Sequence, residues 1–357
     1  MSQLPVVLIP SLQPDERLVT YVKELKTAGF EDIVVVDDGS GREYRAVFDR
    51  VEEAGCTVLH HLVNRGKGAA LKLGYDWIGE HLPDCMGVQT ADSDGQHTVA
   101  DCLKVSEALR TGENALYLGS RDFSLPHVPP KSRFGNRCTS TVFKWLYGVW
   151  LPDTQTGLRA FRREELPFMA AVSGARYEYE MTVLIECARR KLPMVPITIE
   201  TVYENGNEGT HFHPIRDSWR IYKVILGNFF KFIASSLSCF VLDQGIAALL
   251  RDMLLPAMGM NTVERIFVSG YGARLCSSIV NYLINRNVVF REKGDGKRSA
   301  VRYFLLCVLI ICLSNLGVYL LNSIGMAPAL AKILCDLLLY ILSYQVQNRW
   351  VFAEKEQ

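Results

Sequence analysis

The residue types best placed to do chemistry are Asp92, Asp94 and Gln96, within the stretch Thr90-Ala91-Asp92-Ser93-Asp94-Gly95-Gln96-His97. The stretch follows a short apolar run at 86–88. If that run is a buried strand and the chain leaves it extended, side chains two apart share a face, and the three side chains converge. Three oxygen donors at a strand end suit a hard divalent cation, Mg²⁺ or Mn²⁺, which keeps other positions for phosphate and water. An acidic surface turn has the same composition, because Asp, Ser and Gly are turn formers.

The elements that must position these residues belong to a chain of 357 residues, long enough for two domains. Composition divides it near residue 228. Residues 1–228 mix charged and apolar residues as a soluble α/β domain does, whereas 229–357 contain four apolar blocks at 232–250, 266–284, 303–324 and 327–346. Each block approaches the ~20 residues that cross a bilayer as a helix. The opening Met1-Ser2-Gln3 has no basic character and 4–9 is too short for a signal sequence, so the first domain is expected in the cytosol. A net charge of +1, without a basic stripe, argues against a nucleic-acid partner. The ten cysteines are scattered and form no C-x-x-C, which favours buried reduced thiols over disulfides or zinc.

Within the first domain, apolar runs at 4–9, 33–36, 57–60, 86–88 and 115–118 alternate with amphipathic stretches after Pro14, at 43–54, after Gly68 and at 100–110. This pattern predicts an α/β fold with a mostly parallel sheet covered by helices. Asp37-Asp38-Gly39-Ser40 would then open on the same sheet edge as Asp92 and Asp94, the edge where such sheets bind ligands. Between them, Asn64-Arg65-Gly66-Lys67-Gly68 is a glycine-flanked basic turn at a helix start, suited to an anion. It lacks the spacing of a Walker loop, and Gly39-Ser40-Gly41 lacks the third glycine of a dinucleotide fingerprint. Glu178 and Glu180, on a helix expected to start near Tyr177, are either solvated helix charges or site residues.

Val36-Asp37-Asp38-Gly39-Ser40, Asn64-Arg65-Gly66-Lys67-Gly68, Asp92-x-Asp94-x-Gln96-His97, Gly119-Ser120-Arg121 and Thr156-Gly157-Leu158-Arg159-Ala160-Phe161 together resemble family 2 glycosyltransferases of GT-A fold. Most closely they resemble the polyprenol-phosphate sugar transferases of the dolichol-phosphate mannose synthase type. The resemblance implies that Asp92, Asp94 and Gln96 hold the metal. It places Pro10, Asp37, Asp38, Lys67 and Asp92 at the nucleotide, and makes Asp94, Arg121 and Arg133 catalytic, the two arginines binding the lipid phosphate. The family's opening V-P-x-Y-N-E stands here as Ile9-Pro10-Ser11-Leu12-Gln13-Pro14-Asp15, without the aromatic that stacks on a base. Its late R-x-x-G-x-S-K segment is replaced by 205–216, where His211 and Arg216 are the candidate substitutes, against a plain loop role. UDP-glucose is the expected donor.

The chemistry is consistent with that resemblance. A lipid phosphate monoester has a second pKa near ~6, so its attacking oxygen is already anionic at neutral pH and needs no general base. What remains is electrostatic work, for which a metal and arginine forks serve better than a Ser-His-Asp set. The stretch 131–151 mixes Phe134, Trp145 and Trp150 with Lys131, Arg133, Arg137 and Lys144, which fits either an interfacial helix or core packing. A second basic stretch at 216–232, with Trp219, Arg220 and Lys223, runs into the first apolar block.

In the second domain the basic segment 286–302 is expected on the cytosolic side. That gives two hairpins, both termini inside, and a multi-pass plasma (inner) membrane location. The hairpins resemble each other: Asn281-Tyr282 through Val289-Phe290 recurs as Ser343-Tyr344 through Val351-Phe352. This half resembles the GtrA family of four-span proteins, an all-α arrangement associated with moving polyprenyl-phosphate sugars across membranes. Asp243, Arg274 and Asp336 lie inside apolar blocks, where charge is costly, and are candidates for a polar lipid path, Asp243 pairing with Arg274; equally, they form a structural ion pair that fixes hairpin packing. Two other classes fit these residues less well. A processive polysaccharide synthase would carry Q-x-x-R-W, but Val346 stands ahead of Arg349-Trp350. A transporter or scaffold would not need an intact Asp92, Asp94 and Gln96. A homo-oligomer is compatible with this reading.

Overall fold

The computed structural model describes residues 4–126, 128–200, 219, 222–290, 292 and 294–352, and the chain divides into two compact units, Met1–Ile225 and Leu226–Gln357.

The first unit is built on a seven-stranded sheet in the order β3-β2-β1-β4-β6-β5-β7. Its strands are β1 Val6–Ser11, β2 Ile33–Asp37, β3 Thr57–His60, β4 Gly87–Thr90, β5 Leu116–Arg121, β6 Arg159–Arg162 and β7 Met194–Ile199. The helices are α1 Glu16–Thr27, α2 Arg45–Glu53, α3 Lys67–His81, α4 Val99–Thr111, α5 Pro130–Tyr147, α6 Leu166–Ala171 and α7 Glu178–Arg190. β1 pairs in parallel with β2 and β4, β2 with β3, and β5 with β7. β6 runs antiparallel to both β4 and β5. The mostly parallel α/β sheet is therefore present, with one reversed strand that the amphipathic pattern did not reveal.

β1 and β2 are apolar runs buried along their whole length, as strands covered on both faces must be. α1 starts where the Asp15 carboxylate accepts from the Arg17 backbone, and its Leu18, Val22 and Leu25 join Ile9, Phe30, Val35 and Phe48 in the core. Parallel pairing brings the carboxyl ends of β1, β2 and β4 to one edge, so the turns after them face a common space.

The second unit consists of α8 Gly227–Ala257, α9 Thr262–Ile284, α10 Gly296–Ser323 and α11 Pro328–Val346. α9 ends in a π-helical turn, Asn285–Val289, and α11 in another, Gln347–Val351. α8 packs on α9 and α10 on α11, giving two hairpins. Three stretches among the described residues are long and apolar enough to cross a membrane, Gly227–Ala257, Gly296–Ser323 and Pro328–Val351. The expectation of four is thus met for three. Glu264, Arg265, Arg274 and Asn281 dilute the apolar character of α9.

Candidate functional site

Asp37 and Asp38 close β2 and are both buried. The Asp38 carboxylate accepts from the backbone N–H groups of Arg65, at 2.9 Å, and Gly66, at 2.7 Å, and shares a 2.8 Å hydrogen bond with His61 Nδ1. Asp37 accepts from the Ser40 N–H at 2.8 Å and lies 3.0 Å from His60 Nδ1. The acidic pair expected at the nucleoside is thus committed to holding the neighbouring turns. Pro10, expected at the nucleotide, is likewise a buried sheet residue inside β1, in register with Val36.

Asp38 fixes Gly66, whose φ of +101° is open to glycine but strained for other residues. Lys67 is thereby set as the first residue of α3. Its Nζ lies 2.7 Å from Asp92 Oδ1 and 3.0 Å from Glu180 Oε1. Burial alone would lower the Lys67 pKa, but the Asp92 and Glu180 carboxylates outweigh it and hold the pKa above its ordinary value. Asp92 shows the complement. Burial would raise its pKa, but Lys67 and His97 hold it below the usual carboxylate range. For Asp94, burial and the nearby Asp92 charge act together and raise it. Burial lowers His97, whose Nδ1 accepts from the Asp92 N–H at 3.1 Å.

Asp92 opens onto a recess of about 30 Å³ lined also by Gln96, His97, Arg121, Gln155, Thr156, Gly157 and Glu200, enough for an ion and little more. Asp94 Oδ1 accepts from the Gln96 N–H at 3.1 Å, which folds the turn, and Gly95 takes φ +77° there. Two carboxylates and an amide on one turn are hard oxygen donors of the kind Mg²⁺ or Mn²⁺ takes. No cluster of three His, Cys, Asp or Glu suited to a metal occurs among the described residues. Asp94 does not line the recess and Lys67 already occupies Asp92 Oδ1, so Asp92 and Gln96 would supply only part of a cation's shell there, the rest coming from water and ligand oxygens.

Arg121 reaches the recess from the end of β5 with its fork on Asp153, Nε to Oδ2 at 2.7 Å and Nη2 to Oδ1 at 3.3 Å. Asp153 is completely buried and was not singled out from sequence, where no spacing distinguishes it. Glu180, left undecided from sequence, is brought to the site by Lys67. Arg159 buttresses the same region, donating to the Thr156 and Glu180 carbonyls at 3.0 and 2.7 Å. Arg133 is not among the residues lining the recess. It is exposed on α5 and donates to the Leu125 carbonyl at 2.9 Å. His211 and Arg216 lie outside the described residues.

In the second unit Asp243 is buried and accepts from Ser277 Oγ at 2.9 Å, not from Arg274. The inward stripe of α9 is Ser269, Ala273 and Ser277, one turn apart, so Arg274 is rotated off it and faces outward. Asp336 is exposed too, accepting from Ser314 Oγ at 2.7 Å and Lys332 Nζ at 3.0 Å. The expected Asp243–Arg274 pair is therefore absent; Arg274 is exposed, and Asp336 is half exposed with one carboxylate oxygen on the buried Ser314 hydroxyl.

Residues 7–170 match glycosyl transferase family 2, and residues 231–352 match the GtrA/DPMS transmembrane domain. The chain thus joins a domain of glycosyl transferase family 2 to a GtrA/DPMS-type transmembrane domain. An uncharacterized protein of Methanocaldococcus jannaschii is 28% identical over 63% of this chain and 92% of its own. The UDP-N-acetylglucosamine–dolichyl-phosphate N-acetylglucosaminyltransferase of Methanococcus voltae is 26% identical over 57% of this chain and 87% of its own. The polyprenol monophosphomannose synthase of Mycolicibacterium smegmatis is 28% identical over 56% of this chain and 77% of its own.

Proposed function

We propose that this chain transfers a sugar, with inversion, from a nucleotide diphosphate to polyprenyl phosphate at the cytosolic face of the plasma membrane, with UDP-glucose as the expected donor. The observation that carries this reading is one recess lined by Asp92, Gln96 and Arg121, with Lys67 bound to the same Asp92 carboxylate. Such a site is suited to the charge that develops on a departing diphosphate. The polyprenol- and dolichyl-phosphate acceptors named for two relatives support the acceptor class.

An anionic oxygen of the lipid phosphate attacks the anomeric carbon, the bond from that carbon to the diphosphate breaks, and the nucleoside diphosphate leaves with the electron pair. Lys67 and Arg121 take up charge as it develops on the leaving oxygens, and Arg133 receives the lipid phosphate from the α5 side. Mg²⁺ or Mn²⁺, held by Asp92, Asp94 and Gln96, would supply Lewis-acid neutralisation of the diphosphate. α5 supports a membrane-surface acceptor: it buries Phe143 and Leu146 but exposes Phe134 at 72%, beside Lys131, Arg133 and Arg137. Passage of the lipid-linked sugar through the second unit is a further part of this reading. Its support is a buried polar line in which Asn285 Nδ2 donates to Asn281 Oδ1 and Gln347 Oε1, and Gln347 donates to Ser343.

The test incubates membranes containing the chain with a panel of labelled nucleotide sugars and polyprenyl phosphate. Label in the organic extract that depends on the added lipid phosphate supports the reading, whereas free sugar alone or a water-soluble polymer contradicts it.

A further inference from the structure

We infer that Glu180 is a positioning residue that acts through Lys67, keeping the ammonium paired beside Asp92 when that carboxylate turns to a divalent cation, a role that rests on the metal-assisted transfer proposed above. Lys67 Nζ is shared by two carboxylates, 2.7 Å from Asp92 Oδ1 and 3.0 Å from Glu180 Oε1. All three side chains are withdrawn from solvent, Lys67 at 18% exposure, Glu180 at 13% and Asp92 at 30%. Charges at that depth are costly unless they are paired. Among the described residues, the ion pair of the Glu180 carboxylate is with Lys67.

The pairing is built into the backbone around it. The Glu178 carboxylate accepts from the Ala175 and Arg176 N–H groups at 3.2 Å each, which sets the first turn of α7. The Ala175 carbonyl in turn accepts from the Ala69 N–H, in the first turn of α3, at 2.9 Å. Gly66 lies so close to Ala175, and Gly68 to Tyr179, that a Cβ on either glycine would collide. Arg159 Nη1 donates to the Glu180 carbonyl at 2.7 Å. The starts of α3 and α7 therefore interlock, and they carry Lys67 and Glu180 to each other.

A cation that takes Asp92 competes with Lys67 for one carboxylate, because two positive charges gathered there repel. With Asp92 as its single partner, Lys67 would either block the cation or be left buried and unpaired. Glu180 removes that choice. The ammonium, a compact charge on a flexible stem, rests on the second carboxylate and stays beside Asp92. The charge balance points the same way: two carboxylates and one ammonium leave one negative charge to draw a cation, whereas a neutral residue at position 180 leaves none.

The test measures Mn²⁺ binding to the purified full chain from the EPR signal of free Mn²⁺, with no sugar donor present and Asp92→Asn as the blank. Each variant is checked by melting temperature for a folded state. Glu180→Gln is expected to weaken binding at least ~10-fold, because Lys67 then holds to Asp92 alone. Glu180→Asp keeps the charge but draws the carboxylate back from Lys67 by one methylene, and is expected to weaken binding at least ~3-fold. Glu180→Gln combined with Lys67→Met is expected to return to within ~3-fold of wild type, since the competing ammonium is gone. Wild-type affinity in Glu180→Gln, or a double variant as weak as Glu180→Gln, overturns the inference and leaves the metal reading in place. Wild-type affinity in Glu180→Asp shows that charge alone suffices and overturns the positioning role. Binding by wild type no better than by Asp92→Asn removes the metal reading itself, and the Glu180 role with it. Should Glu180→Gln fail to fold, Glu180→Asp and the double variant, in which both charges are gone, decide by the same criteria.

Discussion

At the level of single residues, Asp92 is the point of convergence. It touches Lys67, donates its own N–H to the His97 ring, and lines one recess with Arg121. Asp94→Asn or Asp92→Asn is expected to lower turnover at least ~100-fold, because the charge on the departing diphosphate loses stabilisation worth several kcal/mol. EDTA should act alike, and full transfer in EDTA would remove the metal from the account. Asp153→Ala leaves the Arg121 guanidinium without its carboxylate. The expected cost is ~2–4 kcal/mol, at or below the range for fully buried pairs because Arg121 keeps some contact with solvent. A melting temperature within a degree of wild type would contradict the positioning role given to Asp153. Asp92, Gln96 and Lys67 could be picked out from residue type and spacing, and Arg121 from the resemblance to family 2 glycosyltransferases. Asp153 could not, since it lies in a segment with neither strand nor helix periodicity, and the closure of Asp38 upon the Gly66 turn is a contact between residues far apart in the chain.

The elements explain why the site has its shape. β4 delivers Asp92, and β6 lies beside it antiparallel, so the turn before β6 carries Gly157 against the Asp92 carboxylate. A Cβ on Gly157 would press on both carboxylate oxygens. Gly157→Ala is therefore expected to lower activity at least ~10-fold with only a small change in melting temperature, an effect on geometry rather than on folding. Activity near wild type would show that Asp92 moves aside freely. The strands at 6–11, 33–37, 57–60, 87–90 and 116–121 were readable because each is an apolar run between helical stretches. β6 was not, since it is short and begins and ends with arginine. β7 was hidden by Pro196, a residue confined to strand edges, and β7 is indeed the edge strand of the sheet. The outward turn of Arg274 was hidden too, because hydropathy marks the segment as apolar without saying which side of the helix meets α8.

At the scale of the molecule, a mixed α/β unit with an electrostatic site is joined in one chain to a duplicated helical unit. The Asn285–Gln347 bond links the two hairpins of that helical unit. Asn285→Leu alone leaves the Gln347 amide buried without its donor and should cost ~1–3 kcal/mol, whereas Asn285→Leu with Gln347→Leu should recover most of it. Additive losses in melting of the double variant would contradict the pairing. The central claim, transfer onto a lipid phosphate at the Asp92 site, is tested most directly by giving labelled nucleotide sugar to wild-type and Asp92→Asn membranes with either polyprenyl phosphate or unphosphorylated polyprenol. The account predicts a labelled lipid of the mass of polyprenyl phosphate plus one sugar, formed only by wild type and only with the phosphate. Labelled product from polyprenol, or equal product from Asp92→Asn, would contradict it.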